Sequence, residues 1–214
     1  MPAPLVVAID GPAGSGKSTV AQAVARALGL PHVDTGAYYR AATLAVLRAG
    51  VDPTDTEAVP TVVAQARIDR VAGRTDLDGE DVEAEIRGPA VTAHVSAVAA
   101  QAAVRTHLLA AQREGVARDG GVIEGRDAAT AVAPWAQVKV WLDAEVEERA
   151  RRRAAQAGEP DRVAHHVADL VRRDAADAAQ MARSPDAVVV DTTHMSLEDV
   201  VASVVAQVRE RRGR

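Results

Sequence analysis

The chain has 214 residues, enough for one sizeable domain, and 48 % of them are hydrophobic, so a large core is available and global disorder is excluded. A formal net charge of −5 and an aromatic content of only 2 %, with no Phe, argue against a nucleic-acid-binding surface, which needs basic patches and stacking rings. Cysteine is absent, which excludes disulfides, thiolate metal sites and a thiol nucleophile. The first residues, MPAPLVVAIDG, carry no basic region ahead of an apolar run, and no apolar stretch approaches the length of a membrane span. A soluble, cytoplasmic protein is expected.

The first predicted element is a buried strand over Leu5–Ile9. A Gly-rich turn and a helix start follow, and the pattern G-x-x-x-x-G-K-S runs from Gly11 to Ser18. A side-chain-poor loop lets backbone N–H groups wrap a triphosphate closely, and the next helix offers its unpaired N–H groups to the same anion. Gly11, Pro12, Ala13, Gly14, Ser15, Gly16, Lys17, Ser18 and Thr19 are therefore the candidate nucleotide-binding residues. Lys17 would reach the β- and γ-phosphates and the Ser18 hydroxyl would sit on Mg²⁺. An ordinary Gly-rich turn is the plain alternative. The context favours the phosphate loop: apolar Val20, Val24, Ala27 and Leu28 recur at helical spacing after it. Lys17 and Lys139 are the only lysines in a chain that otherwise writes its positive charges as Arg.

Beyond this point the pattern predicts a short strand at Gly29–Asp34, a helix from Thr35 to about Arg48 and another over Glu57–Gln65. Residues 66–86 are acidic and turn-rich and predict a small hairpin or meander inserted into the fold. Helices are expected over Pro89–Ala100 and Val104–Arg118, then strand and loop over Gly120–Asp127, and a strand at Gln137–Leu142. An Arg-rich helix, Glu145–Ala157, ends at Gly158-Glu159-Pro160, and further helices cover Val163–Gln180 and Leu197–Arg212 around a last strand at Ala187–Val190. Short apolar strands alternating with helices imply an α/β fold with a five-stranded parallel sheet, covered on both faces in three layers. Ligands on such sheets lie beyond the carboxyl ends of the strands, where Gly11–Ser18, Thr35–Arg40 and Arg126-Asp127 all fall.

A GTPase needs an N-K-x-D box, which a chain with no Asn cannot supply, and a large motor needs more chain. Small phosphotransferases remain. Transfer onto another phosphate gathers several anionic oxygens, so cations from several elements are required. Arg40, Arg87, Arg105, Arg126, Arg149, Arg152, Arg153 and Arg173 are the candidates. At helical spacing Arg149, Arg152 and Arg153 share one face, while Arg151 points away. The plain alternative for that helix is a solvated surface paired with Glu145, Glu147 and Glu148. The six histidines are scattered, and adjacent His165 and His166 point to different sides of a helix, so no metal site is read there.

DGPAGSGKST, DTGAYYRAATLAVLRAGVD, GEDVEAEIRGPAVTAHVSAVA, EGRD, VKVWLDAEVEERARRRAAQ, VRRDAAD and DAVVVDTTHMSLEDVV follow one another in an order that resembles the bacterial cytidylate (CMP/dCMP) kinases from about Val7 to Val200. The resemblance implies a single kinase domain: a P-loop core at about 1–34, 105–148 and 162–214, a nucleoside-monophosphate-binding insertion at about 35–104 that carries the small β element, and a short lid at about 149–161. It implies ATP as donor, Mg²⁺ as cofactor, CMP and dCMP as acceptors, and a monomer that binds neither nucleic acid nor membrane. An absence of any obvious apolar surface stripe also favours a monomer.

By the same resemblance Lys17 and the loop hold the ATP phosphates. Arg40, Arg126 and Arg173 grip the acceptor phosphate, and Thr35 lines the CMP site. Ser96, Arg105 and Asp127 read cytosine, and Asp177 takes the sugar hydroxyls. Arg149, Arg152 and Arg153 close on the transferring phosphoryl group. Cytosine shows an amino donor beside the acceptors N3 and O2, so a carboxylate can accept while Arg and Ser donate; uracil leaves the same groups mispaired. Each residue also has a plain structural reading: Ser96 as a small helix residue, Asp127 as the partner of Arg126, Arg173 and Asp177 as a surface pair at i,i+4. Two departures stand out. Gln180 occupies a position where the family has Arg, and Ala128-Ala129 replaces a bulky-Gly pair, which implies a looser turn. Two alternatives remain: a small P-loop kinase for another acceptor, or a nucleotide-binding regulator without catalysis.

Overall fold

The computed structural model describes residues 4–71 and 73–212. The chain folds as two compact units, one made of the residues up to Val33 together with those from Gly115 onward, the other of Asp34–Glu114.

The first unit is built on a five-stranded sheet. Its strands are β1 (Val6–Asp10), β2 (His32–Asp34, whose last residue opens the second unit), β6 (Gly121–Gly125), β7 (Val138–Asp143) and β8 (Val188–Asp191). They lie in the order β2-β6-β1-β7-β8. Pairing is parallel between β1 and β6, β1 and β7, and β7 and β8. Every residue of β1 is buried, as a central strand covered on both faces requires. Helices α1 (Lys17–Leu28), α6 (Val146–Ala157), α7 (Val163–Asp177) and α8 (Leu197–Arg212) belong to this unit. With no Phe available, the core is made of β-branched and small residues: Val7, Ile9, Val20, Val24, Val140, Leu142 and Val204 pack together between sheet and helices. The register brings strand ends level: Asp10 of β1 lies beside Gly125 of β6 and Trp141 of β7. The loop after β1 and the loop after β6 therefore emerge side by side.

The second unit holds α2 (Thr35–Arg48), α3 (Ala58–Gln65), the strands β3 (Ile68–Val71), β4 (Arg74–Leu77) and β5 (Glu80–Asp81), α4 (Pro89–Ala99) and the first part of α5 (Ala102–Asp119). The three strands form an antiparallel meander inside the stretch where the sequence predicts one. Asp78 and Gly79, both at positive φ, turn the chain between β4 and β5. The unit keeps α5 as far as Glu114 because Val104 and Leu108 pack against Tyr39, Val46, Val95 and Val98. A second cluster, Leu44, Leu77, Ile86 and Val91, joins α2 to the meander and to α4.

Two expectations change. The helix predicted to reach Gln180 stops at Asp177, and residues 178–180 tighten into a 3-10 turn. The sheet is not covered throughout: β8 is an edge strand, and Val188 and Val189 are each 45 % exposed. Val190 of the same strand is buried against Val200, Val204 and Val208 of α8, while consecutive Val188 and Val189, which point to opposite faces, stay exposed because an edge strand has a neighbour on one side only.

Candidate active site

The phosphate loop takes the shape that its glycines permit. Gly11 has φ +154°, and a Cβ there would lie 2.1 Å from the Leu142 carbonyl oxygen, so no other residue fits. Gly14 has φ +76°, and a Cβ there would lie 3.3 Å from Cβ of Arg149. Helix α1 begins at Lys17 with no side-chain cap on its N-terminus, which leaves its first N–H groups for an anion. Lys17 is buried, and its Nζ donates to the Pro12 carbonyl at 2.7 Å, folded back on its own loop. Burial, then the nearby Arg126, push its pKa down to about 7, against the opposing pull of Glu124 and Asp10.

Ser18 Oγ donates to Glu124 Oε2 at 2.7 Å, and His32 Nε2 contacts the other oxygen, Glu124 Oε1, at 2.9 Å. The pair Ser18–Glu124 is an oxygen-only donor set at the foot of the phosphate loop. Among the described residues no group of three or more His, Cys, Asp or Glu could hold a metal by itself. That combination fits Mg²⁺, which uses one or two protein oxygens and takes its remaining ligands from phosphates and water. The sequence carries Glu124 inside EGRD without a role of its own. Its signal was its place one residue before the end of β6.

Behind the loop, Asp10 accepts from Ala128 N and Ala129 N, both at 2.8 Å. Burial raises its pKa to about 6, against the lowering effect of those two N–H groups. Residues Ala128–Val132 form a π-helical turn, and both alanines are buried. The alanine pair therefore does not loosen the turn, as had been expected: the Asp10 carboxylate fastens it.

The arginines divide by what holds them. Arg126 Nε pairs with Asp177 Oδ2 at 3.0 Å, and its Nη1 donates to the Gly11 carbonyl at 3.1 Å. Arg173 lies close to Arg126 and Arg153; burial, then Arg126, push its pKa down against the opposing pull of Asp177 and Asp174, and its buried Nε has no hydrogen-bond partner. Lys17, Arg126, Arg173 and Arg153 thus crowd one another beside the loop. Arg149 is buried: it donates to the carbonyls of Ala144 and Ala13 and pairs with Asp174 Oδ2 at 2.7 Å. The other oxygen of Asp174 accepts from Ala13 N at 3.2 Å. Asp174, which sequence reasoning missed, ties α6 and α7 to the loop; its place between Arg173 and Asp177 was the available sign. Arg152 is bound to Glu148 and to the Thr192 hydroxyl and carbonyl. Arg153 has no hydrogen bond or ion pair among the described residues. The three arginines of the predicted face are therefore separated, two anchored and one open.

In the second unit Thr35 is buried at the start of α2, where Asp34 caps the helix by accepting from Ala37 N at 3.1 Å. Arg87 pairs with Asp34 at 3.1 Å. Arg40 Nη1 donates to the Ile86 carbonyl and to Thr92 Oγ1, at 3.1 and 3.0 Å. Arg105 stacks over the Tyr39 ring, 5.4 Å from its centroid, and donates to the Ala99 carbonyl. Ser96 is half-buried on α4. Asp127, in the first unit, is buried beside Asp10, and its carbonyl accepts from Ala131 N at 2.7 Å.

The family model for cytidylate kinase matches residues 7–210. The chain is similar to the cytidylate kinase of Mycolicibacterium paratuberculosis, 48 % identical over an alignment that covers 99 % of this chain and 98 % of that protein. It is also similar to that of Rhodococcus opacus, at 46 % identity over 98 % and 96 % of the two chains. Among solved structures, a gluconokinase from Sinorhizobium meliloti superposes with a TM-score of 0.53 at 18 % identity, covering 98 % of this chain and 95 % of that one, a likeness of fold. The phosphate loop, the cations gathered beside it and these likenesses lead to one family: the chain belongs to the cytidylate kinases, nucleoside monophosphate kinases that phosphorylate CMP and dCMP with ATP.

Proposed function

We propose that the first unit binds the ATP phosphates through Gly11–Thr19 and that Asp34–Glu114 is the unit that receives the nucleoside monophosphate. Lys17, Arg126 and Arg173 lie close to one another; Arg126 pairs with Asp177, and Arg173, near Asp177 and Asp174, keeps a buried Nε without a hydrogen-bond partner. Buried like charges are costly unless an anion joins them. The observation that carries the reading is Arg173 Nε, a buried guanidinium donor beside the loop with no hydrogen-bond partner, which an acceptor phosphate would satisfy.

The chemistry follows from the charges. The attacking atom is an oxygen of the acceptor's phosphate, already ionised, so no general base is required. That oxygen bonds to the γ-phosphorus of ATP as the bond to the β,γ-bridging oxygen breaks, and ADP leaves with the electron pair. Lys17 would leave the Pro12 carbonyl for the donor phosphates. Arg126 and Arg173 would neutralise the acceptor phosphate, and Arg153 would meet the transferring group. Ser18, with Glu124 behind it, would hold Mg²⁺, which when bound neutralises phosphate charge. Arg40 and Thr35 would orient the acceptor. Ser96, Arg105 and Asp127 would read cytosine, and Asp177, alongside its bond to Arg126, would take the sugar hydroxyls.

The test is ADP release with Mg²⁺ and ATP against CMP, dCMP, UMP, AMP, dTMP and shikimate. Turnover with CMP and dCMP alone is expected. Preferred turnover of another acceptor would overturn the assignment of Ser96, Arg105 and Asp127, and ATP binding without turnover of any acceptor would mark a silent regulator.

A further inference from the structure

We propose that His32 is a positioning residue for nucleotide-bound Mg²⁺: its imidazole fixes the Glu124 carboxylate so that the second oxygen of Glu124 stays on the Ser18 hydroxyl. The proposal rests on the reading of Ser18 as the residue that meets Mg²⁺. His32 belongs to β2, which lies next to β6 in the sheet, while β1 flanks β6 on the other side. Glu124 projects from β6 and is 4 % exposed at its side chain; His32 is 18 % exposed. The two oxygens of one buried carboxylate are thus divided between two elements, Oε1 at 2.9 Å from His32 Nε2 and Oε2 at 2.7 Å from Ser18 Oγ.

The terminal torsion of a Glu side chain is broad, so a carboxylate held at one oxygen alone still swings. Holding both oxygens defines its plane. An ionised carboxylate only accepts, so Nε2 carries the proton in this contact. Either the neutral Nε2–H tautomer or the imidazolium supplies that donor, so the arrangement does not depend on the charge of the ring. Ser18 in turn gives its hydroxyl proton to Glu124, which leaves the lone pairs of its oxygen for a cation. His32 does not touch Ser18 itself; it acts on that hydroxyl through two hydrogen bonds with the Glu124 carboxylate between them, as outer residues do around many bound metals.

The test compares the full-length protein with His32→Phe, His32→Asn and His32→Gln, measuring ATP affinity by calorimetry with Mg²⁺ and with a chelator, alongside thermal midpoints. Phe keeps the ring and loses the donor; Asn is polar but too short; Gln places an amide near the position of Nε2. The gain in ATP affinity on adding Mg²⁺ is expected to fall about tenfold in His32→Phe and His32→Asn, with metal-free affinity within about twofold, and to recover in His32→Gln. With CMP, kcat should fall while KM for CMP holds. An unchanged Mg²⁺ gain accompanied by lower thermal midpoints would reduce His32 to a packing residue and overturn the proposal, as would a wild type with no Mg²⁺ gain. The binding arms involve no acceptor. A wild type that ignores CMP but loses its Mg²⁺ gain in His32→Phe would sink the cytosine assignment and keep His32.

Discussion

Single residues in the loop region carry opposite demands. Asp10 holds the turn at Ala128 and Ala129, yet its burial raises its pKa from 3.8 to about 6. Between those values the folded chain binds a proton that the unfolded chain has released. The stabilising contribution is full below pH 3.8 and disappears as the pH rises through 6. Asp10→Asn should remove this slope. Urea unfolding of both proteins from pH 4 to 7 checks it, and parallel profiles would contradict it. Arg173 shows the same tension between fold and function: it is half-buried, with Arg126 and Arg153 as well as Asp177 and Asp174 near it, and its Nε is buried without a hydrogen-bond partner. Arg173→Met should raise the thermal midpoint of the ligand-free protein and lower kcat/KM for CMP by about a hundredfold, the usual scale for losing one phosphate-directed cation. A midpoint that falls instead would show that the cluster is already balanced.

At the scale of elements, the loop is shaped by its neighbours as much as by its own glycines. Gly11→Ala would drive a methyl group into the Leu142 carbonyl and should abolish ATP binding, measured by titration with ATP. Asp174 joins α7 to Ala13 and to Arg149 of α6, so Asp174→Ala should raise KM for ATP about tenfold and leave KM for CMP within twofold. The strands and helices were legible because each apolar run has the length and spacing of one element, and the meander because acidic turns break the alternation. The loop itself was legible from eight residues. The separation of Arg149 from Arg152 and Arg153 was not: all three lie on one helix face, and only the approach of Ala13 and Asp174 decides which is buried. Glu124 and His32 were equally hidden, since their contact joins strands 92 positions apart.

At the scale of the molecule, each unit has its own core, built from Val, Leu, Ile and Ala with little aromatic help. The proposed division of labour has a direct readout in amide exchange. ATP alone should slow exchange in residues 11–19, and CMP alone should slow it in α2 and α4; protection of the same segments by both ligands would contradict the division. The edge of the sheet has a different kind of consequence. Val188 and Val189 stand exposed on a strand with one free side, a template that invites pairing with another chain at high concentration. Asp186 and Asp191 flank this run, with Asp186 held by Lys139 at 3.0 Å, and act as gatekeepers whose charge makes stacking of successive copies unfavourable. Acid strong enough to neutralise both should therefore favour association through β8, and hydrogen bonds from Ser184 to Asp186 and from Thr193 to Asp191 push that threshold below the ordinary carboxylate range.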